Sequence, residues 1–511
     1  MRTLKKTRGK YLMVLLAMCG LVASALGILT NTAGLFFTPI AQSLWEDSVR
    51  DADLASPGAL LGAWQYVNTE HNEDIRLTLN KDQTCSLTVN GSAAEGSWRY
   101  QDGVFALSVR NGEGSGAYTT AAFDPETLAV ILSGGDAAQA RSLSYTPATA
   151  GVNLTLTISN LVFALAGMVS ARFVRENNFK FTLTAGTIIF AGCTAALSLC
   201  HSLWALYLLN AARGFAAGMI GNVLATTVIG YWFWTDTGFI SSLALGFSGL
   251  VGALFNPVFE AVISASGWRV AYLVSAGVIL ALNLPAILTP ITLRPEDSNL
   301  SSLKAEAPAD AGGVSRVNRA GSSKSFAVLA VALCAISFAS LVTSTPQLFK
   351  SLAGTYGLAA TGVTMMTVTL IANTAGKFLF GAMTDRLGVK ISVLIYGAVI
   401  AAGVALLVFV HQPASMLVSA ACMGLSYSIP TVGGVMISRE LFSPERYSQV
   451  FPKINLGATI ANALGYPLLG AIYDATHSYA GALLLVCAVT LLSMAGVVLA
   501  YRLADREKKN L

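Results

Sequence analysis

From Tyr11 to Trp45 the chain runs 35 residues without a charged side chain. A bilayer core about 30 Å thick is crossed by about 20 apolar residues in a helix. A signal-peptide core has only about 7–15, so this stretch reads as an uncleaved first span behind the basic MRTLKKTRGK. Runs of the same kind fall near 11–40, 152–171, 181–200, 203–231, 237–263, 268–290, 326–346, 359–382, 391–411, 414–438, 454–473 and 478–501, which makes twelve. Only 12% of residues are charged, against about 25% in soluble proteins. That excludes an ordinary cytosolic enzyme and a disordered chain.

Residues 46–150 are different in kind. They hold six Lys and Arg against 14 Asp and Glu, a balance of −8, while the remainder carries +13. Short alternating runs recur from 61–67 to 141–147, eight in all, between Gly, Asn and Asp turns. Period-two patterning of this kind predicts about eight antiparallel strands. Cys85 is the one cysteine in the segment, so an internal disulfide is excluded there. No Cys-x-x-Cys or His-x-x-x-His pair occurs anywhere, and no metal site is expected.

Lys and Arg in the connecting segments set the orientation. With the N-terminus inside, the inner segments carry 22 of them, and the short outer loops little beyond Arg269 and Lys350. Both termini are therefore expected in the cytoplasm, in a cell membrane, with 46–150 outside. The expected organisation is 1–45 for the N-terminus and first helix, 46–150 for the outer β-rich insert and 151–290 for the rest of a first bundle. A Ser-, Ala- and charge-rich cytoplasmic linker over 291–325 follows, then a second six-helix bundle over 326–503 and a tail over 504–511.

The halves repeat. The first span begins near Tyr11 and the seventh near Phe326, an offset of 315, or 210 once the 105-residue insert is removed. The turns after spans 2 and 8, from Gly167 and from Gly381, stand 214 apart. The expected fold class is thus an α-helical membrane protein of twelve helices in two six-helix halves, plus an all-β insert.

The second of those turns reads Gly381-Ala-Met-Thr-Asp385-Arg386-Leu-Gly388-Val-Lys390. It resembles the G-x-x-x-D-R-x-G-x-K signature of the major facilitator superfamily. The first copy departs from it, with Ala171 in place of the acid and Val174 in place of the glycine. Asn31 to Pro39 in span 1 is similar to the monocarboxylate and oxalate–formate branch of that superfamily. So are Tyr231-Trp-Phe with the glycines at 246, 249 and 252, the Gly267-Trp268-Arg269 turn, and Gly470 to Tyr479. The insert, with Gly-x-Trp at 62–64 and 96–98, resembles small lipocalin-like barrels. The resemblance implies a gate at the cytoplasmic edge. There Gly381 permits close helix approach, Asp385 and Arg386 pair with a neighbouring helix end in one state, Gly388 permits a tight turn, and Lys390 adds to the inner positive charge.

An ionisable residue at the centre of a span costs at least about 2.5–3.5 kcal/mol, so each needs a reason. Arg213 lies mid-span on one helical stripe with Asn210. Its fork suits a carboxylate at two points, and the alternative is a structural pair with a carbonyl or an acid. It also resembles the span-4 arginine of proton-coupled superfamily members. Lys377, two turns before Asp385, either snorkels to the interface or faces a cavity. Oxalate-type relatives place cations deep in spans 8 and 11. Neither span has a deep one here, which argues against a doubly charged solute. Uncharged cavity candidates are Asn31, Asn160, Asn373, Tyr427 and Asn462, with Thr343, Ser344 and Ser428. Each can instead satisfy a neighbouring helix.

These features lead to a secondary transporter of a small organic anion, monocarboxylate-like, driven by protons or a counter-solute. It would work as a symporter or antiporter, as a monomer in the lipid bilayer, with no cofactor, metal or nucleic acid. A receptor whose outer β-domain binds a ligand is the alternative. A membrane enzyme is disfavoured, because no catalytic constellation lies in the spans.

Overall fold

The computed structural model describes residues 2–50, 57–68, 73–90, 92–101, 104–109, 118–134, 140–146, 150–176, 179–233, 237–296, 323–343, 359–443, 446–447, 449–462 and 480–509. Residues 297–322 of the linker expected over 291–325, Ser344, and the motif from Gly470 to Tyr479 lie outside the described residues.

Helix α1 (Arg2–Val22) passes into a π-helical stretch, Ala23–Asn31. After a two-residue break, α2 (Gly34–Arg50) carries the chain onward. The first helical element thus runs past the expected boundary at 45, into the insert. Beyond the insert come α3 (Ala150–Glu176), α4 (Phe179–Ala196), α5 (Leu203–Ile220), α6 (Asn222–Trp232) and α7 (Thr237–Leu288). At 52 residues, α7 would be about 78 Å long if straight, more than twice the bilayer core. Gly267, at φ 82°, breaks it into two arms, in the places of expected spans 5 and 6.

The remaining helices are α8 (Ser323–Thr343), α9 (Ala359–Leu387), α10 (Val389–Phe409), α11 (Pro413–Gly424), α12 (Gly434–Leu441), α13 over 449–462 and α14 (Ala480–Lys509). Nine runs among the described residues are long and apolar enough to cross a membrane. The helical body is apolar outside as well as inside. Trp204, Leu208, Phe409 and Leu492 are each more than 70% exposed, a surface that only lipid satisfies. Its interior holds many buried Ser and Thr, most of which return their hydroxyls to a carbonyl of their own helix, as Ser337 and Thr490 do.

The insert closes into an eight-stranded antiparallel barrel in sequence order, β1 (Gly62–Asn68) to β8 (Arg141–Thr146), with β8 pairing back onto β1. All eight expected strands are present, and β4 (Ser92–Gln101) starts four residues earlier than its alternation signalled. Alternate residues point inward and fill the barrel: Trp64, Ile75, Leu77, Leu87, Phe105, Val130, Leu132 and Leu143 are fully buried. Both Gly-x-Trp motifs have a physical reason. Gly62 sits at φ 139° against the Tyr145 ring, and a side chain at Gly96 would run into the Ser108 carbonyl across the sheet. Each indole then finds a carbonyl, Trp64 Nε1 donating to Leu60 and Trp98 Nε1 to Asn80. The end of α2 joins this core. Trp45 stacks on Tyr145 at 4.1 Å and meets Trp64 edge-on at 5.5 Å, and Val49 is buried with them.

Candidate functional site

The π-helical stretch of the first span is the hub. A π turn is wider than an α turn and leaves backbone groups open to outside partners, which is why such turns gather at functional sites. Three consecutive residues, 29 to 31, reach three different helices. The Leu29 carbonyl accepts from Arg213 Nη2 of α5 at 3.3 Å. Thr30 Oγ1 donates to Asn160 Oδ1 of α3 at 3.3 Å. Asn31 Nδ2 donates to the Ser248 carbonyl of α7 at 3.0 Å, and Asn31 stays exposed.

From Ser248 the site continues to α9. A side chain at Gly249 would press on Thr374 Oγ1, so α9 meets α7 beside the carbonyl that Asn31 holds. Asn373 and Lys377, one turn apart, share a face of α9. Lys377 is 6% exposed. It therefore does not snorkel to the interface, because its side chain is enclosed. No hydrogen bond or ion pair to it is found among the described residues. Asn373 Oδ1 and Ser428 Oγ are also buried without a hydrogen bond, and Ser428 lies against Gly376.

Arg213 is enclosed differently. Besides the Leu29 carbonyl it lies 5.8 Å from the Tyr272 ring centre, and its Nε is buried without a partner. Asn210, its stripe neighbour, turns its amide back to the Leu206 carbonyl of its own helix. Asn31, Asn160 and Arg213 thus converge on the π stretch, and Asn373 and Lys377 stand across α7 from it. Asn462 of α13 has a buried Oδ1 with no hydrogen bond among the described residues. Tyr427 closes a short turn, Leu425–Tyr427, whose Leu425 packs beside Gly376.

At the other motif, Asp385 Oδ2 accepts the backbone N–H of Phe239 at 2.6 Å. Phe239 lies in the first turn of α7, where orphan N–H groups and the positive end of the helix dipole favour a carboxylate. Gly388, at φ 83°, makes the turn into α10. Gly381 is buried, Arg386 exposed and Lys390 half-buried.

Several members of the interior were not signalled by the sequence. Arg439 of α12 donates to Ser241 and to the Thr226 carbonyl. In the sequence it looks like one more basic residue after a span. Asn283 of α7, fully buried, accepts from Ser24 and donates to Thr187. Its only signal was an amide inside an apolar run.

The comparisons agree with this architecture. Residues 327–511 match the Major Facilitator Superfamily. Among solved structures, the fold is similar to that of FucP, a Major Facilitator Superfamily transporter in the outward conformation, at 12% identity and a TM-score of 0.52, over 68% of this chain and 89% of that one. It is equally similar to a variant of the E. coli fucose:proton symporter, at 14% identity and a TM-score of 0.52, over 68% and 90% of the two chains. No curated protein matches the sequence. The helical body therefore has the facilitator fold.

Proposed function

We propose that the chain is a secondary active transporter that carries a small organic anion, monocarboxylate-like, by alternating access of two six-helix halves. The reading places both termini in the cytoplasm and residues 46–150 outside, as a domain of their own. Lys377 carries the anionic part of it. Lys377 is enclosed and meets no carboxylate among the described residues, and a solute carboxylate would supply one. Asn373 and Ser428 offer further polar groups to the same solute. A single such cation suits one carboxylate rather than two. Asn31, Asn160 and Arg213 form the facing wall, with Arg213 holding the π stretch open through Leu29. Asn210, Tyr427 and Asn462 remain candidates beyond this pair of walls.

The family match over 327–511 and the facilitator fold support transport, and the likeness to a fucose:proton symporter supports protons as the driving ion. The barrel is filled by its own side chains, which favours a transporter over a receptor whose β-domain takes a ligand. The test is uptake of a labelled carboxylate panel into proteoliposomes, with and without a pH gradient. Lys377→Gln should weaken binding of the accepted anion by tenfold or more, since losing one partner of a buried charge pair costs about 2–5 kcal/mol. Unchanged affinity per folded molecule would remove Lys377 from the site. Uptake of neutral solutes alone would overturn the anion class.

A further inference from the structure

The second copy of the loop motif is complete, but the first has lost its acid: Ala171 stands where the repeat has Asp385. A closure built from both copies therefore lacks one side. Arg439, in the last turn of α12, adds a second contact on the side that Asp385 keeps. Its Nη1 donates to Ser241 Oγ of α7 at 3.0 Å, and its Nη2 donates to the Thr226 carbonyl of α6. The guanidinium lies 5.4 Å from the Tyr447 ring centre, and the Tyr447 hydroxyl is 3.2 Å from Thr226 Oγ1. Gly230, one turn after Thr226, leaves the room: a Cβ there would stand 3.2 Å from Nη2. Ser241 is two residues beyond Phe239, the residue that caps onto Asp385. Both contacts from the C-terminal part of the chain thus converge on one turn of α7.

We propose that Arg439 is a second inner latch, which with Tyr447 clips α12 to α6 and α7 while the inner face is shut and releases them when it opens. The acceptors found for Arg439, a carbonyl and a hydroxyl, are neutral. Such contacts are weaker than an ion pair and leave no stranded carboxylate on release, as a contact broken in every cycle requires. The proposal rests on the alternating-access reading but not on the identity of the solute.

Its test reads conformation rather than uptake, so a wrong substrate class leaves it unaffected. Spin labels are placed at Lys10 and Lys324, both exposed, Lys10 just before the apolar part of α1 and Lys324 at the start of α8. Their distance distribution is measured by double electron–electron resonance on the full chain in nanodiscs. Arg439→Gln should raise the long-distance population relative to the short one by about tenfold, the scale of one charge-assisted hydrogen bond. Arg439→Lys keeps the charge but loses the fork and should fall between the wild type and Arg439→Gln. Tyr447→Phe keeps the ring and loses only the hydroxyl, and should shift the distribution the same way by about threefold. A structural arginine predicts lower folded yield with an unchanged distribution in the surviving molecules, and that result overturns the latch. If Arg439→Gln does not fold, Tyr447→Phe decides alone: a shift supports the latch and no shift overturns it.

Discussion

Arg213 and Lys377 are both cations enclosed in a span, and what they touch separates them. Arg213 holds the Leu29 carbonyl and faces Tyr272, whereas Lys377 faces no acid among the described residues. Arg213→Gln should therefore act mainly on folding. It orphans a buried carbonyl, which costs about 1–3 kcal/mol, and should lower the amount of folded protein while binding per folded molecule stays near the wild type. Lost affinity with an unchanged yield would instead make Arg213 a solute ligand. For Asp385 the expectation is the reverse. Asp385→Asn keeps an acceptor for the Phe239 N–H but loses the charge at the α7 dipole, about 0.3–1 kcal/mol. It should slow turnover at an unchanged folded amount, and wild-type turnover at equal expression would count against a gating role. The acid was legible in the sequence because it belongs to a spaced motif. Its partner was not, since a backbone N–H at a helix start has no side-chain signature. The same limit hid Arg439, whose acceptors are a carbonyl and a hydroxyl more than 190 positions away.

At the scale of elements, α2 belongs to two cores at once. Its first turns continue the first span, and its last turn ends in the barrel, with Trp45 between Trp64 and Tyr145. Periodicity revealed all eight strands but not this junction, because 46–50 reads as polar chain until Trp45 and Val49 are seen on one helical face. Trp45→Ala should cost the junction about 3–5 kcal/mol, the range for a large aromatic removed from a core. Hydrogen exchange should then rise in β1 and β8, which carry Trp64 and Tyr145, and not in α3 or α5. Uniform exchange throughout the chain would mean that the two cores are not coupled through Trp45. The barrel also has an acid limb. Hydrogen bonding to Arg76 holds the Asp74 carboxyl below its usual range, and hydrogen bonds from Thr84 and Thr127 do the same for Asp82 and Asp124. Carboxylates lowered in the folded state stabilise it above their unfolded pKa, near 4, and lose that contribution as pH falls through the folded values. Barrel protection, taken relative to the intrinsic exchange rate at each pH, should therefore fall below about pH 4, and Asp74→Asn should flatten that fall.

For the molecule as a whole, the question is whether the barrel is a rider on the helical body or a part of it. The repeat offset closes to 210 only when the insert is removed, which is the ground for proposing that the helical body is complete without it. Among the described residues, the barrel-side end of the first helical element is also held by contacts outside the barrel. Arg269, in the turn between the arms of α7, donates to Ser43 Oγ at 3.3 Å. It lies 3.2 Å from His201 Nδ1, and its guanidinium is 3.8 Å from the Asp47 carboxylate. That clasp joins α2 to the connection between α4 and α5 and to the turn between the arms of α7, and it uses no residue of the 50–148 segment. Replacing 50–148 with a short flexible linker should therefore leave the helices inserted and α2 in place. The main cost should be an exposed Trp45, which Trp45→Ser would relieve. Membrane insertion and the Lys10–Lys324 distance distribution are the measurements. If insertion is lost, the barrel is part of the folding core and the offset argument is wrong. If insertion holds and the distribution shifts, the barrel biases the rocking of the halves through α2, which both cores share. If both hold while uptake falls, the domain acts on the solute before it reaches the Asn31 and Lys377 walls.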